Sequence, residues 1–209
     1  MARTVRGEGV GHSPRRAQLL DLAYRYAVEH GLACVSLRPL AAAIGSSTGV
    51  LLFLFASKDG LVRAVLDRAR ADDLAALSAP RARTGDRATL PATAGRAWSR
   101  FTDPRLRTQR ALWFEACARS LVDHDGGPWA GFARASVDRW LAEFAMTQPP
   151  SERDTPTGRA ERTLTLAVLR GALMDLLATG DAERTTAAVR RHLAALSPVG
   201  EATDHARPP

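Results

Sequence analysis

The sequence contains little cysteine and no long apolar run. Its 209 residues include two cysteines, Cys34 and Cys117, which lie far apart. Two isolated thiols indicate a reducing compartment rather than a disulfide framework. No apolar run approaches the roughly 18 residues that a transmembrane helix needs, and the polar, glycine-rich stretch after Arg3 and Arg6 is unlike a signal peptide. We therefore expect a cytoplasmic protein that makes no membrane contact.

The sequence also lacks the motifs of the common enzyme classes. It has no glycine-rich phosphate-binding loop, nucleophile elbow, pair of catalytic carboxylates or cysteine–histidine constellation. Asp123, His124 and Asp125 are possible metal ligands, but three consecutive residues converge poorly on one ion, and the two glycines that follow indicate a solvated loop. We expect no catalytic site, no metal and no cofactor.

Lysine is almost absent, and the basic residues are unevenly placed. Lys58 is the only lysine, so 28 of the 29 basic residues are arginines. The net charge is +7, of which residues 1–70 carry +5, from ten basic and five acidic side chains. A basic excess concentrated in the first third of the chain points to nucleic acid as the partner.

The apolar periodicity predicts an all-α protein of about nine helices. The run at residues 50–55 could form a strand, but it has no partner strand, which favours a helix. We expect disorder at residues 1–13 and 198–209, a linker at 80–86, and a mobile loop at 148–158 because that segment holds three prolines. The predicted helices span residues 14–30, 36–44, 48–54, 57–78, 90–101, 104–122, 128–147, 159–179 and 182–196.

Residues 36–55 have the pattern of a helix-turn-helix. Ser36 is a suitable N-cap for the first short helix, and Gly45 allows the turn that follows it. The second helix begins with small polar residues, as required of a helix whose N-terminus enters the major groove of DNA. Those residues are Ser46, Ser47, Thr48 and Gly49.

A longer segment, from Arg16 to Leu61, resembles the DNA-binding domain of the tetracycline-repressor (TetR) family without gaps. The matches in its first helix are Arg16, Leu19, Leu20, Ala23, Tyr26 and Gly31; then follow Ser36–Gly45, Thr48–Leu51 and Phe55–Leu61. The resemblance implies a dimeric repressor that binds a near-palindromic double-stranded operator at the nucleoid and is released by a small ligand. It implies a helix-turn-helix domain at residues 14–56 and a ligand-binding and dimerisation domain at residues 57–197.

The same resemblance assigns a DNA-binding surface. Lys58 stands at the phosphate-contacting position, and Arg16, Ser36, Arg38, Ser46, Ser47, Thr48, Gly49 and Phe53 complete the predicted surface. The chain departs from the family at Leu52 and Leu54, where the family has a tyrosine and then a histidine or tyrosine that contact phosphates. Leucine donates no hydrogen bond, so two anchors are missing. Phe53 between them either touches thymine methyl groups or packs internally.

The family's ligand and dimer sites predict two further sets of residues. Aromatic residues on the middle helices suggest an apolar pocket for an organic ligand, comprising Trp98, Phe101, Trp113, Phe114, Cys117, Trp140 and Phe144. Core packing explains most of these aromatics equally well. The last two long helices suit a four-helix dimer interface, formed by Leu164, Val168, Gly171, Asp175, Val189, His192, Leu193 and Leu196. A buried core helix is the competing interpretation of residues 159–179.

Two other functions remain open at this stage. One is a small helical enzyme whose hairpin only resembles the motif, although no catalytic constellation supports it. The other is a TetR-like ligand- or partner-binding protein whose DNA-binding head is weakened by Leu52 and Leu54.

Overall fold

The computed structural model describes residues 13–31, 36–75, 89–123 and 126–196. All regular secondary structure in these ranges is helical, which confirms the all-α prediction. The helices are α1 (Pro14–His30), α2 (Leu37–Ala43), α3 (Thr48–Phe55), α4 (Lys58–Ala75), α5 (Leu90–Phe101), α6 (Arg107–Val122), α7 (Phe132–Ala145), α8 (Pro150–Arg153), α9 (Pro156–Thr179) and α10 (Ala182–Ala195). Most of the predicted disordered ends, namely residues 1–12 and 198–209, lies outside the described residues, as do the linker at 80–86, Cys34, His124 and Asp125.

The segment predicted to be a mobile loop, residues 148–158, is ordered instead. It contains the short helix α8 and the beginning of α9, which the sequence analysis placed at residue 159. The side chain of Thr155 caps α9 by accepting a hydrogen bond from the amide of Gly158 at 3.0 Å. Gln148 is buried and donates from Nε2 to the carbonyl of Gly158 at 2.8 Å. The prolines stand at helix starts, where a missing N–H costs little, so they begin helices rather than prevent them.

Two other predicted helices have different bounds. The helix predicted at 128–147 begins only at Phe132, because residues 128–131 form a turn that ends at Gly131 with φ of +73°. The helix predicted at 104–122 begins with a single 3-10 turn, Pro104–Leu106, which Asp103 caps through the amide of Arg105. Proline at the first position of that turn starts a helix that continues into α6.

Contacts divide the chain into two compact units. The first unit comprises Met1–Asp73 and Thr108–Ala135. Its core is formed by apolar residues of α1 to α4 and by residues of α6 and the start of α7, with the largest contributions from Leu19, Leu40, Leu51, Leu61, Leu66, Trp113 and Phe132. α6 is therefore part of the core that supports the first three helices.

The second unit comprises Leu74–Arg107 and Ser136–Pro209. In it α10 packs on α9 and α5, and α5 packs on α9. Aromatic rings from α5 and α7 fill the centre, while Leu166, Leu169 and Leu173 of α9 and Val189 of α10 close the core. Trp98 donates from its indole nitrogen to Oγ1 of Thr186 at 3.0 Å, which satisfies the buried indole group.

In the described residues, no single helix is long and apolar enough to cross a membrane. α2 and α3 reach that length and composition only when taken together, and a bend of 106° separates them.

Candidate DNA-binding site

α2 and α3 form the predicted helix-turn-helix. The bend of 106° between them falls within the range of about 90–120° that is typical of this motif. The turn ends α2 in a Schellman motif, in which the amide of Ser46 donates to the carbonyl of Ala41 at 2.9 Å and that of Gly45 to Ala42 at 3.4 Å. This ending needs a residue in the left-handed region, and Gly45 has φ of +62°.

The start of α3 is fixed by a side-chain cap. Ser47 accepts a hydrogen bond at Oγ from the amide of Val50 at 3.2 Å. The hydroxyl oxygen of Ser46 is buried and has no hydrogen-bond partner within the described residues. Thr48 is half-buried and Gly49 is exposed. A rigid helix start with small residues can approach base edges closely.

α3 has one buried face and one exposed apolar face. Leu51 and Phe55 are buried in the core of the first unit. Phe53 is 76% exposed, which excludes the alternative that it packs internally. Leu52 is 41% exposed and Leu54 is half-buried, so the two leucines beside Phe53 reach solvent only in part.

The junction between α3 and α4 is unusually tight. Ala56 has φ of +66°, the only positive φ of a non-glycine residue in the described part of the chain. The amide of Ser57 donates to the carbonyl of Phe55 at 2.8 Å, which makes this a γ-turn. The backbone of Phe55 also lies against Gly60, where a Cβ would collide with its carbonyl oxygen. This turn sets where α4 begins relative to α3.

Lys58 is the first residue of α4. Ser57 caps the helix, because its Oγ accepts from the amide of Gly60 at 2.9 Å. Lys58 is exposed, and neither Lys58 nor Arg38 forms an ion pair within the described residues. An ammonium group beside the first amides of a helix is suited to a phosphate, since the N-terminal end of a helix attracts anions.

The side chain of Arg16 contacts other residues of the chain and is not freely exposed to solvent. It donates from Nε to the carbonyl of Leu54 at 3.3 Å, and its guanidinium lies 4.9 Å from the centre of the Phe55 ring. Arg16 thus ties α1 to the C-terminal end of α3. Ser36 occupies the N-cap position of α2 but makes no side-chain cap hydrogen bond, and it is exposed, as is Arg38.

Comparison with known proteins assigns this geometry to a family. Residues 19–65, which contain the helix-turn-helix, match the model of bacterial regulatory proteins of the tetR family. Residues 19–65 are therefore a DNA-binding domain of the tetR type. With this domain the chain is a DNA-binding transcriptional regulator.

Solved structures resemble the chain over almost its full length. A TetR-family member from Streptomyces coelicolor A3 (SCO1917) is 26% identical, with a TM-score of 0.67, covering 90% of this chain and 100% of its own. A TetR-family regulator from Rhodococcus sp. is 16% identical, with a TM-score of 0.71 and coverages of 88% and 98%. The multidrug binding protein EbrR in complex with imidazole is 24% identical, with a TM-score of 0.61 and coverages of 91% and 97%. No curated protein sequence matches the chain.

The residues predicted to bind a ligand fall into two groups. In the second unit, four rings form a continuous row, with centroid distances of 6.5 Å for Trp98–Phe101, 5.6 Å for Phe101–Trp140 and 5.5 Å for Trp140–Phe144. These four side chains are buried. The first unit holds Trp113 and Phe114, whose centroids are 5.1 Å apart, and the half-buried Cys117.

The residues predicted at a dimer interface differ in exposure. Leu164 is 55% exposed, Gly171 is exposed with open space around it, and Val168 is half-buried. Val189 is fully buried in the core of the second unit. Asp175 pairs with Arg184 at 2.7 Å, His192 lies 3.1 Å from Oγ1 of Thr165, and the half-buried Leu193 and Leu196 complete the set.

The sequence analysis missed a polar cluster that joins three helices of the first unit. Gln109 on α6 donates from Nε2 to the hydroxyl of Tyr24 on α1 and to Oδ2 of Asp72 on α4, both at 2.8 Å. Asp72 also pairs with Arg68, whose guanidinium lies 5.2 Å from the Tyr24 ring centre. Burial raises the pKa of Tyr24 above its ordinary value, so its hydroxyl stays neutral. The partners are 37 and 85 residues from Gln109, a separation that no local pattern reveals.

Proposed function

We propose that this regulator is a repressor that binds a near-palindromic operator as a dimer and leaves it when a small organic ligand binds. The observation that carries the DNA-binding part is the arrangement of α3 and Lys58. The small polar residues Ser46 to Gly49 lead into the capped α3, and the γ-turn at Ala56 places the exposed Lys58 close after it.

In this proposal residues 14–56 are the DNA-binding head. The start of α3 enters the major groove, where Ser46, Ser47, Thr48 and Gly49 approach base edges. Lys58 and the first amides of α4 bind a phosphate, and the exposed Ser36 and Arg38 flank the groove. Arg16 acts by holding α3 in place.

The proposed dimer forms through the exposed face of α9. The residues on this face recur at intervals of three and four and are apolar or small, namely Leu164, Ala167, Val168, Gly171, Met174 and Ala178. Leu164 and Met174 are 55% and 60% exposed, unusually high for large apolar side chains on a long helix. Gly171 lets a second helix approach closely. Such a stripe fits a helix of a second copy.

The proposed ligand-binding and dimerisation domain covers residues 57–197. The continuous row of aromatic rings from Trp98 to Phe144 supports a largely apolar ligand, since such rings give an organic molecule extensive contact area. EbrR, a multidrug binding protein with the same fold, supports a role in binding small molecules. The protein acts without catalysis, in the cytoplasm at the nucleoid, where operator DNA is found.

A second candidate function follows from Leu52 and Leu54. Neither side chain can donate a hydrogen bond to a phosphate, and Leu52 is 41% exposed where a donor would be useful. A protein with such a head would bind DNA weakly and act as a ligand or partner binder. Leu52→Tyr should increase operator affinity if the head functions in DNA binding. No increase would favour the second candidate.

The first test is a fluorescence-anisotropy titration with labelled duplex from upstream of the protein's own gene, against excess unlabelled random duplex. We expect competitor-resistant binding that weakens steeply with salt. Lys58→Ala should weaken this binding. It should also reduce the steepness of the plot of log binding constant against log salt concentration by about 2, because a dimer would lose one phosphate contact from each protomer. The matched control Arg159→Ala, which removes one exposed positive charge of α9, should change neither. Equal, weak binding to every duplex would count against the repressor.

The dimer has its own test in sedimentation equilibrium. Leu164→Glu should shift the protein from dimer to monomer, because a carboxylate would be buried in the proposed interface. Leu121→Glu is the matched control, since Leu121 is 68% exposed on α6. A Leu164→Glu protein that stays dimeric would exclude the α9 face.

A further inference from the structure

The side chains that α3 presents to solvent lack hydrogen-bonding groups. After Gly49 the exposed residues of this helix are Val50, Leu52 and Phe53, with exposed fractions of 39%, 41% and 76%. Phe53 is the most exposed of the large apolar side chains in the described part of the chain. Exposing a phenyl ring to water is unfavourable, and contact with an apolar group relieves this cost.

The major groove of DNA offers one apolar group with which such a helix can make contact. Guanine, adenine and cytosine present only hydrogen-bond donors and acceptors there, whereas thymine also presents its 5-methyl group. Val50 and Phe53 cannot hydrogen-bond to base edges, but both can pack against a methyl group. They are three residues apart and lie on the same side of α3.

We infer that Phe53, assisted by Val50, reads thymine methyl groups and so determines part of the operator sequence. This inference rests on the proposed DNA-binding function. It names the base that α3 recognises, thymine, and the group that it contacts, the 5-methyl group. The Cβ atoms of residues three apart on a helix are about 5–6 Å apart. This spacing corresponds to one or two steps along a strand, since successive nucleotides rise about 3.4 Å. Each half-site should therefore hold thymines at adjacent or next-but-one positions.

DNA itself is preferred to a protein partner as the occupant of this surface. The exposed apolar side chains lie between the capped start of α3 and the exposed Lys58, and Arg38 is exposed on the preceding helix. The first 70 residues carry a net charge of +5. A positive rim around apolar side chains matches the groove of a polyanion, whose phosphates flank its bases.

The test uses the upstream duplex that the protein binds and replaces its thymines by deoxyuridine, one position at a time. This change removes one methyl group and leaves every hydrogen bond and charge in place. At one or two positions per half-site we expect the affinity of the wild-type protein to fall about fourfold, the factor that corresponds to one buried methyl group at about 0.8 kcal/mol. At the thymine that Phe53 contacts, Phe53→Ala should bind the thymine and deoxyuridine duplexes equally.

Two controls separate this inference from the proposed function. Lys58→Ala should weaken binding to both duplexes by the same factor. Val122→Ala, at a residue of α6 that is 74% exposed, should leave both affinities unchanged. Circular dichroism establishes that Phe53→Ala folds, as expected for so exposed a side chain. Equal wild-type affinity for thymine and deoxyuridine duplexes, with specific binding intact, would overturn the inference and leave the proposed function standing. So would a deoxyuridine effect that Phe53→Ala leaves unchanged at every position. Absence of specific binding to any duplex would overturn both.

Discussion

The amide of Ser57 donates a hydrogen bond to the carbonyl of Phe55 at 2.8 Å, across an alanine whose φ is +66°. This γ-turn joins the last buried residue of α3 to the N-cap of α4. It is strained, because an alanine in the positive-φ region costs about 1–3 kcal/mol. The turn holds Lys58 close to the end of α3. The relative placement of the proposed groove-reading helix and the proposed phosphate-binding residue therefore depends on one peptide turn.

Ala56→Gly should stabilise the protein. Glycine adopts positive φ without a steric penalty, and the relief exceeds the extra chain entropy of an unfolded glycine. We expect a net gain of about 1 kcal/mol in the free energy of unfolding, measured by urea denaturation. Ala42→Gly, at an exposed helical position, should instead destabilise by about 1 kcal/mol. If both variants lost stability alike, Ala56 would not be strained.

Arg16→Ala should weaken operator binding without changing its salt dependence. The side chain bonds to the carbonyl of Leu54 and stacks over Phe55, so its loss loosens α3 rather than removing a phosphate contact. We expect a loss of about 1–2 kcal/mol of stability and an unchanged salt slope. Arg15→Ala is the control, since Arg15 is exposed and bonds only to Gln18 in the described structure. A reduced salt slope in Arg16→Ala would show that Arg16 contacts a phosphate directly.

Gln109→Leu should destabilise the first unit. The substitution removes the donor that serves Tyr24 and Asp72, and it leaves partly buried polar oxygens unsatisfied. The expected cost is about 1–3 kcal/mol in urea denaturation. Gln18→Leu, at an exposed position on α1, should change stability by less than about 0.5 kcal/mol. Equal effects of the two substitutions would contradict a structural role for the cluster.

His192 should make stability depend on pH on the acidic side of neutrality. Burial lowers the pKa of His192 below its ordinary value of 6.5, so the folded protein holds the neutral ring. The unfolded chain binds a proton first as the pH falls, and stability present above about pH 6.5 is lost as the pH falls through the folded pKa. His192→Gln should flatten this decline in denaturation series from pH 7.5 to 5. An identical decline in the variant would assign it to other groups.

Local sequence signals predicted most of the fold and the outline of the site. Apolar periodicity, Gly45 at a helix end and Ser47 and Ser57 before helices each act within a few residues, so the helix-turn-helix could be placed from sequence. Both serines cap the helices that follow them. The prediction of a loop at residues 148–158 was wrong, because proline can begin a helix as well as break one. Here the buried Gln148 and the cap at Thr155 favour helix starts, and these contacts are not visible in the proline pattern.

Tertiary contacts account for what the sequence did not predict. Arg16 matched a family position, but its bond to Leu54 joins residues 38 apart. The exposure of Phe53 depends on which face of α3 the core buries, and the apolar run at residues 50–55 has no clear helical face of its own. The Gln109 cluster joins three helices and has no signature in any one of them.

The most direct test of the central claim, that the α3 heads of a dimer bind an operator, is a hydroxyl-radical footprint of the wild-type protein on both strands of the upstream duplex. We expect two protected half-sites related by a dyad, with centres separated by about one helical turn of DNA, or 34–36 Å, or a multiple of it. Both should be lost together in Lys58→Ala at elevated salt. Uniform protection without boundaries, or one unpaired protected site, would contradict it.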